Sequence, residues 1–150
     1  MQGIIKGCDQ AGLLLVGGET AEMPDIYRGG HFDLAGFAVG LVSKDKLITG
    51  ERIKKGQQVV GVASAGIHSN GLSLARKLVG DDKALKQELL TPTLIYTKPI
   101  NEILDKKPDA ITGVAHITGG GWRNVLRLSK EVGYKFNDLL PVSEIFGKLG

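Results

Sequence analysis

Apolar residues recur along the chain in short runs with two kinds of spacing, and these runs predict the elements of a mixed fold. In residues 2–12, Ile4, Ile5 and Cys8 repeat near helical spacing, and Gly12 stands where the helix would end. Further helices are predicted at residues 72–79, 81–88, 95–104, 122–130 and 143–149. Runs rich in Val, Ile, Leu and Phe predict buried strands at residues 13–16, 32–42, 58–64, 110–117 and 134–139.

The order of these elements predicts a fold class. A strand, a glycine-rich loop and a helix follow one another twice, at residues 58–79 and again at 110–130. This order predicts an α/β fold, in the form of an α+β-like mixed sheet with helices on one face. The polar stretch 44–57 contains two glycines and predicts a domain boundary, so that residues 1–50 and 51–150 belong to different domains.

Composition narrows the class of protein. The 19 basic and 16 acidic side chains are scattered, which argues against nucleic acid as the main partner. No apolar run approaches the roughly 18 residues of a membrane span, and the first residues lack the apolar stretch of a signal peptide. We therefore expect no membrane association and a cytosolic location. The single Cys8 excludes an internal disulfide and a multi-cysteine metal site.

Glycine is unusually frequent, at 22 of 150 residues, and the glycines concentrate at the ends of the predicted strands. The string AGIHSNG leads into the predicted helix 72–79. The first N–H groups of a helix lack intrahelical acceptors and form its partly positive end, so such a loop favours phosphate. Gly66 and Gly71 allow close approach of a ligand, Ser69 or Asn70 can cap the helix, and His68 can donate a hydrogen bond. The alternative is a capped helix with a purely structural role.

The string HITGGGWRN repeats this arrangement. Three successive glycines between a strand and a helix are conformationally unfavourable unless side chains would obstruct something there. Ligand contact and close packing both explain them. His116 reads either as a site residue or as a packed strand residue, and Arg123 is the nearest side chain that could pair with an anion.

The string GGETAEMP is a third candidate site. Its Glu19 and Glu22 could present carboxylate oxygens to a hard cation such as Mg²⁺, although two glutamates in a surface loop commonly bind nothing. Standard motifs are absent from the sequence: there is no GxxxxGK[ST] string, Asn124 stands at the third glycine position of a dinucleotide pattern, and the histidines lack zinc-site spacing. The remaining interpretation is phosphate binding without a standard motif.

Five strings in order identify a resemblance: LVGGETAEMPDIY, FDLAGFAVGLV, SAGIHSNGLSLARK, LLTPTLIY and AHITGGGWRN. Together they resemble the aminoimidazole ribonucleotide synthetase (phosphoribosylformylglycinamidine cyclo-ligase) family, most closely up to Asn124. The resemblance implies that residues 1–50 end an N-terminal domain that binds ATP and metal. Residues 51–150 would then form most of the C-terminal synthetase domain.

The resemblance also implies an activity. The family uses ATP to phosphorylate the formyl amide oxygen of formylglycinamidine ribonucleotide, after which the amidine nitrogen closes the ring and phosphate leaves. ATP and Mg²⁺ are the implied cofactors, and a ribonucleotide is the implied substrate. A homodimer through the N-terminal domain is the implied assembly.

Site residues are carried over by position. Catalytic roles are implied for His68 and His116, and a magnesium or nucleotide-phosphate contact for Glu19. Cofactor binding is implied for Gly17, Gly18, Glu19, Thr20, Ser69, Asn70, Gly71, Thr118, Gly119, Gly120 and Gly121. The resemblance does not decide which glycine loop takes ATP and which the substrate phosphate.

Two departures from the family pattern qualify these expectations. The chain reads Ala65-Gly66-Ile67 where other members often have Ser-Gly-Pro, which keeps the glycine. Family members are also roughly twice as long, so we expect this chain to be inactive alone. Two other functions remain open: a related synthetase of the formylglycinamidine ribonucleotide synthetase type, and a non-catalytic binding or assembly domain.

Overall fold

The computed structural model describes residues 1–149, which divide into two units of close internal contact. The first unit comprises Met1–Leu47, and the second begins at Ile48. The assignment of residues 1–50 and 51–150 to two domains of the family stays a prediction, because this division concerns contacts and not family domains.

The first unit begins with the predicted helix, which is confirmed. Helix α1 spans Gln2–Ala11, and Gly12 follows it in the left-handed conformation with φ 71°. The N–H of Gly12 donates to the carbonyl of Asp9 at 3.2 Å, and the N–H of Leu13 to that of Cys8 at 2.9 Å. Glycine is favoured here because it has no Cβ to oppose a positive φ. A single 3₁₀ turn, Lys44–Lys46, is the other helical element of this unit among the described residues.

The second unit contains four α-helices within the described residues, and all four were predicted to within a few positions. They are α2 (Leu72–Val79), α3 (Lys83–Glu88), α4 (Thr97–Lys106) and α5 (Glu144–Lys148). The helix predicted at 122–130 is instead a 3₁₀ helix, Gly121–Arg127. No helix in the described part of the chain combines the length and apolar character needed to cross a bilayer.

A small core joins three of these helices. Ala75 and Val79 of α2 pack with Leu89, which follows α3, and with Ile145 of α5. Ile145 is the most buried of them, with 3% of its surface exposed. At the rim, Lys148 Nζ donates to Glu88 Oε2 at 3.0 Å, and this hydrogen bond raises the pKa of Lys148. The core therefore holds α5 against the α2–α3 pair.

The predicted mixed sheet is wrong. Residues 1–149 contain no β-strand, and the segments expected as strands at 13–16, 32–42, 58–64, 110–117 and 134–139 lie outside any regular element. Their apolar side chains are largely exposed: Phe37 is 99%, Val39 95% and Leu41 102% accessible. An apolar run predicts burial, whereas a strand exists only when a second backbone pairs with it. No such pairing forms between these segments in the described part of the chain.

In the second unit, polar side chains connect residues 52–57 with residues 109–112. Arg52 forms an ion pair with Asp109, and its Nη2 also donates to the carbonyl of Ile111 at 3.3 Å. Thr112 Oγ1 donates to Gln57 Oε1 at 3.2 Å. The start of the unit is thus connected to residues 109–112 by polar side chains.

Candidate functional site

Two glycine-containing loops open onto one cleft in the second unit. The cleft has a volume of about 470 Å³, within the range of small-molecule sites. From the loops, Gly66, His68, Asn70, Thr118 and Gly119 contribute to its lining. Its walls are apolar and come mainly from α2, α5 and the loop flanks: Ile67, Leu74, Ala75, Leu78, Ile117, Phe146 and Leu149. A polar backbone mouth beside apolar walls suits a ligand with a charged end and an apolar body.

His68 closes the first loop on itself. Its Nε2 accepts the N–H of Ala65 at 2.9 Å, which requires the neutral ring with its proton on Nδ1. Among the described residues His68 is the one non-glycine with positive φ, at 53°. Such a conformation is uncommon for a residue with a Cβ, so this hydrogen bond supports it. The catalytic role expected for His68 stays a prediction, and Nε2 is already engaged by the loop backbone.

A neighbouring segment braces the same loop. The hydroxyl of Tyr96 donates to the carbonyl of Ala63 at 2.8 Å, and the Tyr96 ring lies 6.3 Å from that of His68. Partial burial raises the pKa of Tyr96. Ser69 Oγ lies 3.2 Å from Thr93 Oγ1, so this predicted site residue is held by a threonine. The string LLTPTLIY supplies both supports, a role that sequence reasoning missed because no local pattern signals it.

The N-terminus of α2 reaches the cleft without a side-chain cap. Gly71 occupies the N-cap position with φ 73°, and no side chain accepts a hydrogen bond there. The expectation that Ser69 or Asn70 caps this helix is therefore wrong. Asn70 and Gly71 instead line the cleft, so the partly positive N-terminal end of α2 lies beside it.

The second loop uses its three glycines differently. Gly119 lines the cleft, and a methyl group added there would meet open space. A methyl on Gly120 would lie 2.8 Å from Nδ2 of Asn124, and Gly121 has φ 56°. The N–H of Gly121 donates to the carbonyl of Thr118 at 2.8 Å and closes the turn. Of the predicted residues of this string, Thr118 and Gly119 thus line the cleft, whereas Gly120 and Gly121 shape the turn.

Other predicted residues lie away from the cleft. His116 is exposed and is not among the residues that line it. Gly17, Gly18, Glu19 and Thr20 lie in the first unit, exposed and outside any regular element. The described residues contain no group of three or more His, Cys, Asp or Glu placed to hold a metal. The catalytic role of His116 and the metal role of Glu19 stay predictions.

A second depression lies between α2 and α3, with a volume of about 490 Å³. Its two cationic side chains already have partners, because Arg76 Nε donates to the carbonyl of Leu72 at 3.3 Å and Lys86 Nζ to Asp81 at 3.3 Å. Its lining includes no residue of either glycine loop. The cleft between the two glycine loops is therefore the better candidate site.

The sequence of this region matches a known family profile. Residues 54–136 match the profile described as AIR synthase related protein, C-terminal domain. The matched residues include both loops of the cleft and make up more than half of the chain. This chain belongs to the AIR synthase related family. The family resemblance drawn from five short strings is thereby confirmed.

Three curated relatives of this chain carry the same name, phosphoribosylformylglycinamidine cyclo-ligase. The relative from Clostridium acetobutylicum is 52% identical over 137 residues, which cover 87% of this chain and 41% of the relative. The relative from Pyrococcus furiosus is 48% identical, with 97% of this chain and 44% of the relative covered. The relative from Bacillus cereus is 44% identical, with 100% of this chain and 48% of the relative covered. The chain thus spans less than half the length of these relatives.

Proposed function

We propose that this chain is part of an ATP-dependent cyclo-ligase that converts formylglycinamidine ribonucleotide to aminoimidazole ribonucleotide in purine biosynthesis. The names of the relatives support the reaction, and family membership supports the class of enzyme. We further propose that the cleft between the glycine loops holds a phosphate-bearing ligand. The observation that carries this is the convergence of both loops and the uncapped end of α2 on one cleft.

The lining of the cleft fits this role chemically. Backbone N–H groups at the N-terminal end of α2 and at Gly119 can approach phosphate oxygens closely. No side-chain cap covers the helix end, and Gly119 has no Cβ that would separate its N–H from the ligand. The apolar wall from Leu74, Leu78 and Phe146 would cover a base or ribose and exclude water. Bound ATP would supply the phosphoryl group that turns the formyl oxygen into a leaving group. The residues of the cleft would then bind and orient the phosphate-bearing ligand.

Magnesium does not fit the cleft on the residues present. Among the described residues, the lining contains no carboxylate, and Mg²⁺ prefers carboxylate and phosphate oxygens. Glu19 stays the proposed magnesium ligand, in the other unit. A cytosolic location and a homodimer belong to the same proposal, since the family resemblance is what supports them.

Gly119→Ala tests the ligand role of the cleft. The added methyl meets no protein atom within 4 Å, so the fold should tolerate it, while it occupies space at the ligand's phosphate. We expect the variant to bind ATP or ribose 5-phosphate about tenfold more weakly, a loss of about 1.4 kcal/mol. Calorimetric titration of both ligands measures this and distinguishes a nucleotide site from a ribose phosphate site.

Gly133→Ala is the matched control, because it also adds a methyl in open space but lies outside the cleft. We expect it to bind with the affinity of the unsubstituted chain. Equal affinities for the two variants would show that the cleft is not the site. Absence of binding of both ligands by the unsubstituted chain would contradict the proposal itself.

A further inference from the structure

Asn124 is the one buried polar side chain in the described part of the chain, with 5% of its surface exposed. It belongs to the 3₁₀ helix Gly121–Arg127 and does not line the cleft. Burial of a carboxamide is unfavourable unless its polar atoms are hydrogen-bonded. Its partners therefore indicate what the residue does.

The carboxamide of Asn124 holds the first residue of the TGGG turn. Its Oδ1 accepts the backbone N–H of Thr118 at 2.9 Å and lies 3.4 Å from the Thr118 hydroxyl, which also donates to it. On the other side, Gly120 leaves room for Nδ2, since a Cβ at that position would lie 2.8 Å away. Thr118 and Gly120 thus enclose the carboxamide, and Gly119 between them faces the cleft.

The same arrangement occurs in the other loop. There, the Nε2 of His68 accepts the N–H of Ala65 at 2.9 Å, just as Oδ1 of Asn124 accepts that of Thr118. In each case a side chain further along the sequence accepts the first backbone N–H of the loop; His68 lies within its loop, and Asn124 lies in the 3₁₀ helix that follows its loop. Each loop is therefore constrained by a side-chain hydrogen bond that does not depend on a ligand.

We infer that Asn124 is a positioning residue for the ligand cleft. By fixing the turn Thr118–Gly121, it sets the direction in which Thr118 and Gly119 face a phosphate-bearing ligand. This inference rests on the proposed function. The inference also explains why the middle residue of the three is glycine, without any contact to a ligand. A Cβ at Gly120 would collide with the Asn124 carboxamide.

Asn124→Leu tests the inference, since leucine has a similar size but no acceptor. Hydrogen exchange of the Thr118 amide reports the hydrogen bond directly. We expect it to be at least about tenfold faster in the variant, the change that corresponds to loss of one ordinary hydrogen bond. The affinity for ATP or ribose 5-phosphate, whichever the unsubstituted chain binds, should fall about tenfold.

Val125→Ala is the control for a merely structural role. Val125 is the buried neighbour of Asn124 in the same 3₁₀ helix, at 7% exposure, and no hydrogen bond ties its side chain to the loop. It should lower the thermal stability of the chain but leave Thr118 exchange and ligand affinity unchanged below the transition. Should Asn124→Leu fail to fold, Gly120→Ala displaces the carboxamide from the opposite side, with the same expected effects.

The outcomes separate this inference from the proposed function. Undiminished ligand affinity in a folded Asn124→Leu or Gly120→Ala chain would overturn the positioning role alone. A fall in affinity in Val125→Ala as large as in Asn124→Leu would also overturn it, because general destabilisation would then suffice. If the unsubstituted chain binds neither ligand, the proposed function and the positioning role fall together.

Discussion

Gly50→Ala is expected to lower the free energy of unfolding of the second unit by at least about 3 kcal/mol. Two effects combine at this buried position. Gly50 has φ +91°, which residues with a Cβ rarely adopt, and an added Cβ would overlap the carbonyl oxygen of Leu128. Because that oxygen belongs to the backbone, no side-chain rotation relieves the overlap.

Gly56→Ala separates the two effects. Gly56 has nearly the same φ, +92°, but nothing lies within 4 Å of the added methyl. We expect a loss of about 1 kcal/mol from the backbone conformation alone. Urea unfolding can be followed by the fluorescence of the single Trp122, which packs against Phe136 at a ring distance of 4.7 Å. Equal midpoints for the two variants would refute the close approach of Gly50 to Leu128.

Ile145→Ala is expected to destabilise the second unit by about 2–3 kcal/mol, at the lower end of the range for such truncations because the core is small. Ile145 is the most buried residue of the cluster formed with Ala75, Val79 and Leu89. Its Cγ2 also lies 3.5 Å from the position that a Cβ of Gly66 would take. The truncation therefore removes support from both the core and the first glycine loop.

Val142→Ala is the control for Ile145→Ala, since Val142 lies three positions earlier and is 78% exposed. It should change the free energy of unfolding by no more than about 0.5 kcal/mol. The same urea experiment measures both variants. A similar midpoint for Ile145→Ala and Val142→Ala would mean that α5 does not pack on α2.

The helices were predictable because their signals are local. The spacing of Ile4, Ile5 and Cys8 and the stop at Gly12 are contained within α1 itself. The helix after Gly120 was placed correctly but assigned the wrong type. Within this helix, the side chain of Asn124 accepts the N–H of Thr118, and no propensity argument anticipates that hydrogen bond.

The strands were mispredicted because a strand depends on a distant partner segment as well as on its own residues. Phe37, Val39 and Leu41 have the composition of a buried strand, yet they are almost fully exposed and unpaired. Composition specifies what a segment would bury, whereas a strand also needs a partner backbone that composition does not supply. This is why the predicted mixed sheet was wrong while the family assignment held.

The candidate site was predicted in part. The two glycine loops were recognised as phosphate-binding candidates from the strand, glycine loop, helix order, and residues of both loops line one cleft. The different structural roles of Gly119, Gly120 and Gly121 were not predictable, since the three glycines differ only in their three-dimensional surroundings. The supports from Thr93 and Tyr96 act over more than 20 positions of sequence and were missed for the same reason.

The central claim, that both glycine loops bind one phosphate-bearing ligand, is tested most directly by NMR. Backbone amide signals of the chain are followed while ATP, or ribose 5-phosphate in a parallel sample, is added. The account predicts that Gly66, Gly71 and Gly119 shift together along one binding curve, while Gly133 stays unchanged. Shifts confined to one loop, or centred on residues outside the cleft, would contradict it.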